Sequence, residues 1–157
     1  MKAKSLLLYP AAILVFTIGG AAFQAVETCD TKALKDKAKA ALDPYKYDSG
    51  KVTHLYYKKK EQIREVMVPV FIGEKYRFVF NNENLSRAVE VKIFNKDKES
   101  KNRKELHSFT AGPGGEQLYS WEPSGAKQQY YVDYNIPATS DSTAFSECVV
   151  LMIGYKK

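Results

Sequence analysis

Two histidines, two cysteines and a knot of aromatic residues are the side chains of this 157-residue chain whose types could do chemistry. His54 and His107 stand outside any His-Glu-x-x-His pattern, and neither has a second histidine or a cysteine at metal-ligand spacing. A Ser-His-Asp site assembles in space rather than in sequence, but the Gly-x-Ser-x-Gly elbow is absent. Gly112-Pro113-Gly114-Gly115 is followed by neither a lysine nor a helix start, so it is no phosphate cradle. Asn81-Asn82-Glu83-Asn84 and Asp141-Ser142-Thr143 offer too few carboxylates for calcium, which wants several. The expectation is a protein that is not an enzyme and needs no metal or cofactor.

The aromatics are the more informative group. Tyr119, Trp121, Tyr130, Tyr131 and Tyr134 fall within 16 residues. Exposed rings stack on sugars and anchor protein interfaces. Alternation sends Tyr130 and Tyr134 inward beside Val132 and leaves Tyr131 on the opposite face. Trp121, on a short strand before a turn, and its neighbour Tyr119 complete the candidate set for binding a protein or glycan partner.

Cys29 and Cys148 must be read with the N-terminus. Lys2 and Lys4, the 13-residue apolar stretch Leu6–Ile18 and the small residues Gly19-Gly20-Ala21-Ala22 have the layout of an export signal. Cleavage after Ala22 would leave 135 residues at a net charge of +4, against +6 for the whole chain. An uncleaved anchor would need about 20 apolar residues. Glu27, just before Cys29, does not suit a lipidation box. The expected location is periplasmic or secreted, with the membrane met only through the signal segment. In that compartment disulfides persist, and a Cys29–Cys148 bridge is expected over two free thiols.

The elements that must position these residues follow from periodicity. Residues 30–42 read as a helix, with Asp30 or Thr31 as cap and Leu34, Ala38, Ala41 and Leu42 on one face. Asp43-Pro44 stops it. From residue 50 the period becomes two. Strands are expected at Val52–Tyr57, Ile63–Phe71, Lys75–Phe80, Ala88–Phe94, Leu106–Thr110, Gln117–Glu122, Lys127–Ile136 and Glu147–Tyr155. Pro69 assigns its strand to an edge or a bulge. The last strand is apolar on both faces, as a doubly covered central strand must be. Eight short strands after one helix predict a mainly β fold, an antiparallel sandwich of jelly-roll or immunoglobulin-like kind, with a closed barrel as alternative. The predicted organisation is a signal at 1–22, a helix and linker packed on the body at 23–49, and a sandwich domain at 50–157.

Charge is uneven. Residues 23–109 carry a net +6 and residues 110–157 a net −2. Lys58-Lys59-Lys60 and the run Lys96–Lys104 hold much of the excess, although the interleaved Asp97, Glu99 and Glu105 mark that run as a solvated hairpin tip. An acidic envelope partner fits this surface; nucleic acid, in an exported protein without a matching motif, does not. The segment Val66–Phe80, with its Gly73-Glu74 turn and Tyr76-x-Phe78-x-Phe80, followed by Val89–Phe94, resembles exported bacterial β-sandwich modules of the pre-peptidase C-terminal type and small envelope proteins of the Bacteroidota. The resemblance covers about residues 50–155. It implies an accessory or binding domain and carries over no functional residue; a structural subunit of a larger surface assembly, and then an enzyme with an unrecognised site, are the alternative expectations.

Overall fold

The computed structural model describes residues 29–125, 127–140 and 146–157. The signal segment and the Asp141-Ser142-Thr143 cluster lie outside the described residues. The elements are helix α1 (Thr31–Ala40) and strands β1 (Lys46–Tyr56), β2 (Gln62–Pro69), β3 (Lys75–Asn81), β4 (Val89–Phe94), β5 (Glu105–Ala111), β6 (Leu118–Trp121), β7 (Gln129–Ile136) and β8 (Ser146–Lys156). The strands form two four-stranded antiparallel sheets, ordered β1-β8-β3-β6 and β2-β7-β4-β5. The pairs β1–β8, β2–β7, β3–β6 and β4–β5 match the chain's first half against its second, as in one long folded ribbon. The β3–β8 and β4–β7 pairs then wrap that ribbon into two sheets. This is jelly-roll winding rather than immunoglobulin winding, and no barrel closes.

Period-two alternation builds the core. Tyr76, Phe78 and Phe80 of β3, Val89, Val91 and Ile93 of β4, and Tyr130, Val132 and Tyr134 of β7 all meet between the sheets. Strand β8 does double duty: Val149, Leu151 and Ile153 join that core, while Cys148, Val150 and Met152 face the helix. Leu34, Ala38 and Leu42 of α1 cover them, making a third layer. Asp30 caps α1, its Oδ1 accepting from the backbone N–H of Lys32 and Ala33. Cys29, just before the cap, is joined to Cys148 with a Cα separation of 5.8 Å. Gly154 lets the chain leaving α1 cross β8: a Cβ there would stand 2.9 Å from Leu42 Cδ2 and 3.0 Å from Tyr45 Cβ.

The elements bear on four features of the sequence. Strand β1 begins at Lys46, so the boundary drawn at residue 50 falls inside it. Strand β2 is indeed an edge, with Pro69 at its last position. The Asn81–Asn84 cluster is a clamp for the helix: Asn81 Nδ2 donates to the Leu34 carbonyl at 3.1 Å, and Glu83 pairs with Lys37 at 2.7 Å. The Lys96–Lys104 run is only partly a solvated tip, because Arg103 folds back onto the sheet.

Candidate functional site

A two-sheet sandwich has two seams where the edge strands face each other. Here one seam lies between β5 and β6 and the other between β1 and β2. His107 sits at the first and His54 at the second, so the two histidines do not converge.

At the β5–β6 seam the inward side chains are aromatic. His107 stacks on Tyr119 (centroids 5.7 Å, planes 7° apart) and on Trp121 (5.5 Å, 11°). Its Nε2 lies 2.7 Å from the Tyr119 hydroxyl. Phe109 stacks on Tyr119 at 4.2 Å, and Trp121 meets Phe78 and Tyr130 edge to face. These ring faces are spent on one another, which closes the seam with a half-buried stack. Tyr131 is elsewhere, on the outer face of the β2-β7-β4-β5 sheet, only 9% exposed, and accepts a hydrogen bond from Gln129. Of the three sequence-predicted binding residues, Tyr119 and Trp121 are thus brought together and Tyr131 is not.

The outer face beside Tyr131 carries a cluster that the sequence pattern does not announce. Glu65 and Asp133 are cross-strand partners on β2 and β7. Arg103, from the β4–β5 hairpin, grips Asp133 through both terminal nitrogens (2.8 and 2.9 Å) and Glu65 through Nη2 (2.8 Å). Its guanidinium lies 3.5 Å from the Phe94 ring centroid. Burial, then the neighbouring Asp133, holds the Glu65 carboxyl above its usual range. The hydrogen bonds to Asp133 hold the Arg103 guanidinium more firmly protonated still. At the helix end of the other sheet, Arg77 and Tyr45 hydrogen-bond Glu122 and lower its carboxyl.

The β1–β2 seam is open. A groove of about 590 Å³ runs along it, lined by Lys51, Thr53, Arg64, Val66 and the exposed Tyr56 and Met67, and also by Val52, His54 and the Arg103-paired Glu65. Lys51 and Arg64 occupy inward positions of their strands, where the other seam has aromatic rings. Beyond Tyr56 the connection exposes Lys58, Lys59 and Lys60. Its root is fixed from below: the buried Tyr57 hydroxyl donates to Glu147 Oε2 at 2.7 Å, and the Thr139 N–H donates to the Lys58 carbonyl at 2.8 Å. Burial first, then the Glu147 hydrogen bond, pushes the Tyr57 hydroxyl far above its ordinary range, so it stays protonated and keeps donating. The available signal for this site was a cation at an inward position of each strand, Lys51 and Arg64, together with the Lys58-Lys59-Lys60 run.

Among the described residues, no three His, Cys, Asp or Glu side chains are grouped to hold a metal ion, and no helix is long and apolar enough to cross a membrane. No protein-family model matches the chain, and no curated protein matches it.

Proposed function

We propose that this protein is a non-catalytic, exported binding module that takes an acidic glycan chain in the β1–β2 groove. One observation carries the reading: an open groove between two edge strands, with Lys51 and Arg64 on opposite walls and the exposed Tyr56 ring between them and the lysine run. Acidic groups along a sugar chain would pair with the two cations. The exposed Tyr56 ring, with His54 stacked at 6.4 Å on one side, offers its other face to sugar C–H groups. Walls built on strands need little reordering on binding, which favours affinity. The Cys29–Cys148 bridge supports a location where disulfides persist.

The test uses two polysaccharides of one backbone, dextran and dextran sulfate, measured by titration calorimetry at physiological ionic strength. The protein should bind dextran sulfate and not dextran. Lys51→Glu/Arg64→Glu should weaken binding by about a hundredfold, two lost charged contacts at roughly 1.4 kcal/mol per tenfold. Lys32→Glu/Lys35→Glu, the same charge change on exposed helix positions, is the control. Equal weakening by both pairs means general electrostatics rather than the groove, and sinks the proposal. Preferential binding of polyglutamate would reassign the groove to an acidic protein.

A further inference from the structure

The other feature that fold and groove leave unexplained is the turn between β2 and β3. Phe71 is 75% exposed and Ile72 61%, the two most exposed large apolar side chains among the described residues. They stand side by side at the tip of a held turn. The Phe71 N–H donates to the Tyr76 hydroxyl at 3.0 Å, and the Val70 N–H donates to the Gln128 carbonyl at 2.9 Å. Gly73, at φ +97°, makes the reversal.

The strand register decides what surrounds that tip. Lys75 is the cross-strand partner of Lys156, and Pro69 of Gln129. Phe94 pairs with Tyr131, so the β4–β5 hairpin reaches the same end of the sandwich. Lys157 and Lys127 each share a surface hollow with Phe71. Lys46 pairs with Tyr155, so the start of β1 lies here too, and the segments at this end, 42–48, 70–75, 95–104, 122–125, 127–128 and 156–157, hold ten basic and six acidic residues. Of these, Glu122 is committed to Arg77, and Arg103 to Asp133 and Glu65. Glu74 and Asp48 border the hollows beside Phe71 and only partly offset the lysines.

An apolar spike ringed by lysines suits the boundary of an anionic bilayer: the rings and methyls enter the acyl region while the ammonium groups stay among phosphates. We infer that this end of the sandwich docks on an anionic phospholipid surface, with Phe71 and Ile72 inserted and Lys75, Lys127 and Lys157 meeting the headgroups. The docking is peripheral and reversible, through two side chains on a rigid turn.

The experiment places an indole at the tip. In the full chain, Phe71→Trp is made in a Trp121→Phe background and mixed with vesicles of brominated phosphatidylglycerol and phosphatidylethanolamine. The turn's indole should be quenched by these vesicles, and quenched little by vesicles of brominated phosphatidylcholine alone. Vesicle binding through another part of the chain leaves it unquenched. In the otherwise native chain, Phe71→Ser/Ile72→Ser should lower sedimentation with the anionic vesicles about tenfold. It should leave thermal stability unchanged, because both side chains are exposed. No quenching by anionic vesicles, equal quenching by neutral ones, or unchanged sedimentation of the double variant overturns the inference. Self-association abolished by that variant, without lipid quenching, would show the tip to be a contact between copies of this chain, and also overturns it.

Discussion

Arg103→Ala is the most revealing single substitution. The guanidinium makes three charged hydrogen bonds, two to Asp133 and one to Glu65, plus a fourth from Nε to the Lys96 carbonyl at 2.9 Å. The side chains are enclosed: Arg103 is 16% exposed, Glu65 17% and Asp133 3%. Removing the cation leaves two adjacent carboxylates turned away from water. Breaking a buried pair in this way costs about 3–5 kcal/mol, and we expect about 4 kcal/mol at pH 8. The cost has a pH signature. The Glu65 carboxyl is already held above its usual range in the native protein. Without Arg103, which pulls it down, it must rise further. A carboxyl whose folded-state pKa exceeds its unfolded value contributes stability at low pH and loses it as pH climbs through the folded value. The variant's deficit should therefore shrink between pH 8 and pH 5, by roughly 1.4 kcal/mol for each unit that Glu65 rises. Urea unfolding followed by the fluorescence of Trp121, the single tryptophan, measures both quantities. A deficit below about 1 kcal/mol at pH 8, or one that stays constant or grows toward pH 5, refutes the reasoning about buried pairs.

Three further outcomes follow from the packing. The Cys29–Cys148 bridge spans 119 residues, so replacing both cysteines by alanine should cost about 5 kcal/mol on the chain-entropy account. Mass analysis of the unreduced protein should find no alkylatable thiol, and finding two removes the bridge. Phe78 is fully buried with Trp121 and Tyr130 packed edge to face on it; Phe78→Ala should cost about 3–5 kcal/mol and shift Trp121 emission to the red, and an unchanged spectrum would contradict the contact. Gly154→Val should destabilise by about 1–3 kcal/mol through overpacking against Leu42 and Tyr45, read by thermal unfolding. A neutral or stabilising valine would mean that the α1–β1 connection moves freely.

Alternation in the sequence was enough to place the core because burial on one face leaves a period of two. Val89, Val91 and Ile93 point in for that reason, and so do Tyr130, Val132 and Tyr134. The unbroken apolar run of β8 marked a strand covered on both sides, and the helix and opposite sheet supply the covers. Alternation also placed Asp133 outward, which is correct, yet Asp133 is buried. No local pattern could say so, because its cover is a residue 30 positions away on a hairpin that reads as solvated. Tyr119 and Trp121 stood out by type, but whether a half-buried ring offers its face to a ligand depends on what stacks on it. Here that is His107, from another sheet. Winding order was the other gap: jelly-roll and immunoglobulin sandwiches share strand lengths and periods and differ only in non-local pairing.

The unequal filling of the two seams supports the place of binding proposed above. Both are places where a sandwich exposes the rim of its core, and both could be plugged with large side chains. At β5–β6 the plug exists: Phe109, Tyr119, His107 and Trp121 stack across the gap. At β1–β2 the corresponding inward positions hold Lys51 and Arg64, whose long stems reach for solvent and leave a groove. An open rim costs apolar burial that two ordinary leucines would supply. The chain nonetheless reinforces the opening, anchoring the β1–β2 connection through the Tyr57–Glu147 hydrogen bond and the Thr139–Lys58 backbone bond. A gap left by imperfect packing would be expected to collapse or loosen. This one is fixed at its root and carries Lys51 and Arg64 beside the Arg103-paired Glu65, which suits the anionic ligand proposed above, and Lys51→Leu/Arg64→Leu should raise stability while weakening dextran sulfate binding by up to about a hundredfold.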